Sequence, residues 1–262
     1  MQIDELAGTA PAIGTLREGA LHAQLKSWYR KPGDRLETRV SNYVVDLVRD
    51  DLLVEIQTGS FAPLKRKLEL LTRQHPVRIV APVALRRRIV RLSDAGEILS
   101  ARRSPRRGRV EDIFARLVSI PGLLSRPQLE IEVLLTEEEE FRVYRPGRAF
   151  RRHGWIVCGR SLAAVVERVP IAGPEDAVAL LPASLSESFD TAELAEAAAM
   201  TRRLAQQMAY CLREMDALEI VGKRRQALVY RRKLSSTDAS APCAERSNRR
   251  ETPLERAKPA SH

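Results

Sequence analysis

The sequence predicts an α/β protein with a mixed β-sheet, followed by a smaller unit of three helices and a β-hairpin. In residues 43–57, two apolar runs rich in Val, Leu and Ile flank the dipeptide Asp50-Asp51, a pattern typical of a β-hairpin. Segments with leucines at helical spacing precede and follow this hairpin. After residues 170–174, which have the composition of a linker, helical segments replace strands.

The first half of the chain is predicted to alternate helices and strands. Leucines and a tryptophan recur at helical spacing in residues 16–29. Ser60 is expected to cap a second helix, with Pro63 tolerated in its first turn. The predicted order is a helix at 16–29, strands at 36–40, 43–49 and 52–57, a helix at 60–72 and a buried strand at 77–81.

Segments beyond residue 81 are expected to elaborate this core. A second hairpin is predicted around Asp94-Ala95-Gly96. The acidic run at 137–140 is expected to form a solvated turn, or else to neutralise the arginines at 142–152. The other predicted elements are a helix at 110–120, strands at 129–135 and 154–158, and a short helix at 161–168. We therefore expect one domain over residues 14–169, after a flexible lead-in at 1–13.

Two carboxylates occupy unusual positions in the central hairpin. If Asp50-Asp51 form a two-residue turn, Asp46 stands opposite Glu55 on one face of the sheet. Their β-carbons would then lie about 5 Å apart. Like charges this close repel unless a cation or a buried donor bridges them, and a divalent metal is the natural bridge. A three-residue loop would instead shift the register by one and send the acids to opposite faces.

The surroundings of this acid pair resemble a known family. Asp46 is followed after eight residues by Glu55-Ile56-Gln57. A helix carrying Glu18 precedes the pair, and a helix carrying Lys65 and Lys67 follows it. Over residues 14–82 this order of elements resembles the PD-(D/E)xK nuclease superfamily, the restriction-endonuclease-like αβββαβ fold that also includes Holliday-junction resolvases. The resemblance implies that Asp46 and Glu55 hold Mg²⁺, that Glu18 assists them, and that phosphodiester bonds are hydrolysed.

The lysine that the family carries two positions after the glutamate is replaced here by Gln57. A carboxamide can orient a water or bind a metal through its oxygen, but it supplies no positive charge. An active site would therefore need a cation from the following helix. We expect Lys65, about one turn after Ser60, to supply it, whereas Lys67 lies about 200° further round the helix and should point elsewhere. Alternatively, both lysines lie on a solvated helix face.

The chain has more basic than acidic residues, which favours a polyanionic partner. The formal net charge is +10 and the pI is about 10.0, mostly through arginine. A high arginine content can also follow from genome base composition. The densest cluster surrounds Ser104-Pro105 and is expected to be an exposed loop that contacts phosphate, or else a solvated linker. Its members are Arg102, Arg103, Arg106, Arg107 and Arg109.

The C-terminal unit, residues 170–233, resembles a winged helix-turn-helix domain. Helical spacing occurs at 176–181, 191–199 and 201–218, and two strands then flank a basic tip. The resemblance implies that the third helix lies in the major groove and that the wing contacts the DNA backbone. The alternative is a module for protein contacts or dimerisation. The groove-facing residues would be Arg202, Arg203, Gln206 and Gln207, and the wing residues Lys223, Arg224 and Arg225.

Other features exclude some classes of protein. The three scattered cysteines indicate neither a disulfide framework nor a zinc site. No apolar run is long enough to span a membrane, so we expect a cytoplasmic protein without a membrane partner. Residues 234–262 lack periodicity and are expected to be disordered.

The resulting hypothesis is a DNA-binding protein with a Mg²⁺-dependent nuclease-like core that acts on duplex or branched DNA. Resolvase-like relatives commonly pair, so a homodimer is expected. One alternative is a catalytically inactive nuclease-like protein that binds DNA or serves as a scaffold. Another is a winged-helix transcription regulator whose first domain has a different role.

Overall fold

The computed structural model describes residues 19–233. The predicted lead-in at 1–13, the candidate residue Glu18 and the predicted tail at 234–262 lie outside the described residues. Within the described part, strands and helices combine into an α/β architecture with a mixed sheet. The predicted fold class is confirmed at this level.

The main sheet has the strand order β1-β2-β3-β4-β6-β7, and β5 pairs with the far half of β4. The first three strands are antiparallel, β3, β4 and β6 are parallel, and β7 returns antiparallel to β6. The strands are β1 (Arg35–Val40), β2 (Tyr43–Arg49), β3 (Leu52–Ile56), β4 (Val77–Leu92), β5 (Ile98–Arg103), β6 (Leu129–Tyr144) and β7 (Trp155–Ile171).

Helices cover this sheet, and a small second sheet follows it. The helices are α1 (Ala20–Tyr29), α2 (Lys65–Leu71), α3 (Phe114–Leu117), α4 (Pro174–Ala179), α5 (Thr191–Ala197) and α6 (Arg202–Glu214). The second sheet is antiparallel with the order β8-β10-β9. Its strands are β8 (Ser188–Asp190), β9 (Leu218–Arg224) and β10 (Ala227–Arg232).

The two faces of the main sheet contact different helices. On one face α1 packs against a buried cluster that includes Leu47, Val54 and Val80. On the other face α2, α3 and α6 share a cluster with Leu53 and Ile79. Neighbouring strand residues point to opposite faces, so the first half of β4 (77–83) is buried on both sides. The second cluster continues into α4 and β10, and residues 170–233 therefore share a hydrophobic core with the main sheet.

The long strands extend beyond this core as an arm, defined as the far half of β4 from Arg86, β5, and the adjoining halves of β6 and β7 (137–144 and 155–164). A small apolar cluster of Val90, Leu92, Phe141 and Val143 fills the arm. The predicted short helix at 161–168 is wrong, because these residues belong to β7 and pair with β6. Cross-strand pairing along sixteen-residue partners overrides the local helical spacing.

The acidic run at 137–140 lies inside β6, so the predicted solvated turn is wrong. In the parallel register Arg86 faces Glu137, and the next two positions repeat this pairing of opposite charges. The ion pairs are Arg86–Glu137, Arg87–Glu138, Arg87–Glu140 and Arg88–Glu139. Cross-strand neighbours of opposite charge stabilise a sheet, which explains why four acids occur in sequence within a strand.

Candidate functional site

The central hairpin turns as the sequence predicts. Asp50-Asp51 form the two-residue connection, and the ladder begins with Arg49 opposite Leu52 and continues to Leu47 opposite Val54. The ladder then ends. The next β3 amide in line, that of Ile56, donates to the Asp46 side chain, with 2.9 Å between N and Oδ2. Asp46 therefore replaces a ladder hydrogen bond with its own carboxylate.

Asp46 is held from the α1 side of the sheet. Its Oδ2 lies 3.1 Å from Nε2 of His22, which α1 carries next to the buried Leu21. The hydrogen bond with Asp46 raises the pKa of His22 above its ordinary value. Burial alone would raise the pKa of Asp46, but the bonds from His22 and the Ile56 amide outweigh it, and the net pKa is lowered. Asp46 is thus an ionised carboxylate with two donors.

Glu55 is held from the α2 side. Glu55 and Lys67 are only 6% and 9% exposed, and the Lys67 ammonium donates to Oε1 of Glu55. The same ammonium donates to the carbonyl of Val44 at 2.5 Å. Burial raises the pKa of Glu55, and this effect exceeds the lowering by Lys67. Together the two side chains form a buried, hydrogen-bonded ion pair between β3 and α2.

The two acids are consequently bound by helices on opposite faces of the sheet, and the prediction that they share one face is wrong. The predicted turn and its register are correct, but they do not determine the face of the sheet on which the Asp46 carboxylate lies. The ladder stops after Leu47, and the Asp46 side chain departs from the alternation that the register would impose.

The lysine prediction is also wrong. Lys65 is exposed, whereas Lys67 reaches Glu55. The reason lies in the start of the helix: residues Ala62–Leu64 form a 3-10 turn, and α2 begins at Lys65 itself. A tighter turn before the helix changes the direction in which the following side chains point. Lys67 then shares the inward face of α2 with Leu68 and Leu71.

Gln57 closes the loop after β3. Its Nε2 donates to the carbonyl of Ser60 at 2.6 Å. The backbone carbonyl of Gln57 accepts a hydrogen bond from Arg116 of α3 at 3.3 Å. Arg116 also donates to the backbone carbonyl of Pro82 at 2.7 Å. Burial lowers the pKa of Arg116. Sequence reasoning missed this cation at the ends of β3 and β4, because helical spacing at 110–120 gives no signal for its direction.

These residues do not fit a Mg²⁺ ion as they stand. A bridging metal needs oxygens of both acids directed at one point, but one carboxylate is bound to His22 and the other to Lys67. Among residues 19–233, no three His, Cys, Asp or Glu side chains are arranged to hold a metal ion. The cluster of Asp46, Glu55, His22 and Lys67 is therefore best described as two charge pairs that join the hairpin to its two flanking helices.

A basic cleft lies between the arginine-rich loop and the start of α6. This cavity of about 690 Å³ has Arg106 and Arg107 on one side and Arg203 and Gln207 on the other. Arg109 fixes the loop, because it bonds to Glu111 and to the carbonyl of Ala198. Two segments that the sequence predicts separately as DNA contacts thus line one cleft.

Gly108 keeps the arginine-rich loop close to the sheet. Its amide donates to the carbonyl oxygen of Ala84 in β4 at 3.0 Å. A β-carbon at this position would come within 2.4 Å of the same oxygen, so a side chain cannot be accommodated without a shift. The loop on either side of Gly108 is therefore anchored rather than free.

The other predicted DNA contacts lie elsewhere. Arg102 and Arg103 are exposed on β5. Arg202 and Gln206 line a separate cavity of about 250 Å³ beside β10, and Arg202 donates to Oγ1 of Thr191. The four predicted groove-facing residues of α6 therefore divide between two surfaces.

The wing differs in detail from the prediction. The turn between β9 and β10 consists of Arg225-Gln226, so Lys223 and Arg224 lie within β9 rather than at the tip. Arg224 is paired with Glu193 of α5, and this contact partly compensates its charge. Lys223 and Arg225 are exposed. Asp190 caps α5 as predicted, accepting from the amides of Ala192 and Glu193.

The contact between His22 and Asp46 predicts a pH-dependent contribution to stability. The folded pKa of His22 lies above its ordinary value of 6.5, so the contribution is complete below pH 6.5 and is lost as the pH rises through the raised pKa. We expect His22→Gln to lower the free energy of unfolding by about 1 kcal/mol at pH 6 and by less at pH 9. Urea denaturation of both proteins at both pH values measures this, with His75→Gln as the control. An equal loss at pH 6 and pH 9 would contradict it.

Comparison with known proteins gives a family but no activity. A family model described as "Domain of unknown function (DUF8091)" matches residues 19–172. A protein of Treponema pallidum (strain Nichols), described as an uncharacterized protein, is 32% identical over 139 residues, which cover 52% of this chain and 55% of that protein. The chain thus spans about half the length of this relative. No solved structure matches the chain. Within residues 19–233, none of the helices has the length and apolar character needed to cross a membrane.

Proposed function

We propose that this chain, which belongs to the family described as Domain of unknown function (DUF8091), is a DNA-binding protein with a nuclease-like core and a winged-helix unit. In this proposal the acid site of the core is not a metal centre. The order of elements supports the nuclease-like core. A helix, three antiparallel strands, a second helix and a strand parallel to the third follow one another. The second sheet and helices α4 to α6, all within residues 170–233, support the resemblance of this unit to a winged helix-turn-helix domain.

The basic cleft is the main observation in favour of DNA binding. Arg106 and Arg107 from the loop and Arg203 from α6 line the same cavity, although nearly a hundred residues separate them in sequence. Asp112 is the acid in this lining, and it lies 3.8 Å from Arg106. Exposed guanidinium groups contact phosphate bidentately and release counterions on binding, which gives sequence-independent affinity.

The acid site favours a structural role over hydrolysis. Asp46 and Glu55 each have a charge partner already, and Gln57 is used to close a loop. One observation favours the alternative, a Mg²⁺-dependent nuclease: the ammonium of Lys67 lies against Glu55, and Gln57 stands where the resemblance would place a lysine. Binding assays alone do not distinguish these two functions, so the test has to include cleavage.

The test measures binding and cleavage with the full chain. Fluorescence anisotropy with a labelled duplex and a four-way junction is recorded over a range of salt concentrations, and the same DNAs are incubated with Mg²⁺ or Mn²⁺ and run on denaturing gels. We expect salt-dependent binding and no cleavage. Cleavage that Asp46→Asn abolishes would establish the nuclease instead. Failure to bind either DNA at low salt would overturn the DNA-binding proposal itself.

A further inference from the structure

The tip of the arm presents an unusually exposed aromatic ring. Phe150 is 87% exposed, the highest value among the large apolar side chains of residues 19–233. It lies in the connection between β6 and β7, at the far end of the arm from the basic cleft. Burying such a ring on folding would be favourable, and leaving it in water forgoes that gain. An exposed aromatic ring at the end of an arm is therefore a candidate contact site for a partner.

The charged residues near Phe150 in the sequence are all basic. Residues 142–166 contain no Asp or Glu. Arg148, Arg151 and Arg152, which flank Phe150 in the sequence, are exposed. Arg145 is paired with Asp94 of the neighbouring hairpin at 2.5 Å and so fixes the base of the tip. The surface complementary to this tip is thus anionic, with a flat apolar group that can receive a ring.

The tip is a folded turn rather than a loose loop. Phe150–Arg152 form a 3-10 turn, bounded by Ala149 and His153, whose φ values of 49° and 48° lie in the left-handed region. A β-carbon at Gly154 would come within 2.5 Å of the Tyr144 ring. This close packing orders the strand ends beneath Phe150. A preformed turn reduces the entropic cost of binding.

Aromatic and arginine side chains reinforce the base of the tip. Tyr144 makes an edge contact with Trp155, with 5.7 Å between ring centroids. The guanidinium of Arg91 lies 4.5 Å from the centroid of the Trp155 ring. Trp155 therefore sits directly below the turn that carries Phe150 and provides a fluorescent reporter of its environment.

We propose that this tip, residues 145–154, binds unpaired nucleic-acid bases, with Phe150 stacking on a base and Arg148, Arg151 and Arg152 contacting the adjacent phosphates. Every base has a face on which an aromatic ring can stack, so the contact does not require a particular base. Arginine supplies planar, bidentate phosphate contacts that lysine does not. A single phenylalanine offers little apolar area for a membrane surface, which is normally bound through a larger apolar face. The inference rests on the proposed DNA-binding function and names its substrate class: DNA with unpaired or distorted segments.

The experiment compares two DNAs and four proteins. A labelled duplex and the same duplex with a central unpaired bubble are titrated by anisotropy with the wild type, Phe150→Ala, Phe150→Tyr and Val166→Ala. Val166 is a matched control, because it is an exposed apolar residue of the same strand pair. We expect the wild type to prefer the bubble, Phe150→Ala to lose about tenfold in affinity for the bubble alone, and the other two variants to behave as the wild type. In a Trp28→Phe background, which leaves Trp155 as the remaining tryptophan, quenching of fluorescence by the bubble should decline in parallel in Phe150→Ala.

The outcomes separate this inference from the proposed function. Wild-type protein that binds neither DNA would overturn both. Salt-dependent binding to both DNAs with an unchanged Phe150→Ala variant would overturn only the tip inference. Loss of binding to anionic phosphatidylserine vesicles in Phe150→Ala, without any bubble preference in the wild type, would also overturn it and assign the tip to a membrane surface.

Discussion

Replacing Lys67 with Met is expected to destabilise the protein by about 3–5 kcal/mol at pH 7, because it leaves Glu55 buried without its cation. Methionine keeps most of the length of the side chain, so the loss reports charge rather than volume. The matched control is Lys65→Met. Lys65 is exposed on the same helix, and its replacement should change stability by less than about 0.5 kcal/mol. Urea denaturation monitored by circular dichroism measures both.

The pH dependence of this loss identifies its cause. Burial already raises the pKa of Glu55, and removal of Lys67 raises it further. A carboxyl group whose folded pKa lies above its unfolded pKa binds more protons in the folded state, so stability falls as the pH rises through that interval. The defect of Lys67→Met should therefore shrink as the pH is lowered from 7 to 5. The double variant Lys67→Met/Glu55→Gln should recover most of the lost stability. If Lys67→Met and Lys65→Met lowered the free energy of unfolding by the same small amount, Glu55 and Lys67 would not form a buried ion pair.

Local signals determined what the sequence predicted correctly. The turn at Asp50-Asp51 and the cap at Asp190 depend on residues within three or four positions, and both are as predicted. The first strands and helices follow the same rule, since each is predicted from the apolar pattern of its own residues. Their order along the chain, and with it the mixed sheet, could be predicted for this reason.

The site could not be predicted in the same way, because distant residues decide it. Asp46 leaves the ladder to meet His22, a residue 24 positions away, and no local pattern encodes that contact. A 3-10 turn of three residues before α2 exchanged the roles of Lys65 and Lys67. The predicted site contained the correct acids but not their partners.

The strands of the arm show a related limit. The segment at 161–168 is predicted as a short helix from local spacing alone, but pairing with the neighbouring strand β6 determines its conformation. All four acids at 137–140 in β6 pair with arginines of β4, some fifty residues earlier, and Glu140 also pairs with Arg142, one of the arginines expected as its partners. Charge complementarity across two strands is invisible when either strand is considered alone.

Removing three arginines from the basic cleft should weaken DNA binding more than any other change on the surface. The variant Arg106→Ala/Arg107→Ala/Arg203→Ala deletes three of the four guanidinium groups that line the cavity, at least one from each side, and keeps Arg109, which fixes the loop. Deleting one arginine–phosphate interaction lowers the slope of log affinity against log salt by about one unit, so the slope should decrease by up to about three. The weakening should not depend on DNA sequence, because phosphate contacts carry no base information.

The control for this prediction has the same change in net charge. Arg30 at the end of α1 and Arg35 and Arg39 in β1 are exposed and do not line the cleft. Their replacement by alanine also removes three positive charges, so it lowers long-range attraction equally without deleting a guanidinium group of the cleft. We expect the control triple variant to retain the wild-type salt slope within about one unit. If both triple variants reduce the slope equally, the chain attracts DNA through its overall charge, and the cleft is not the binding site.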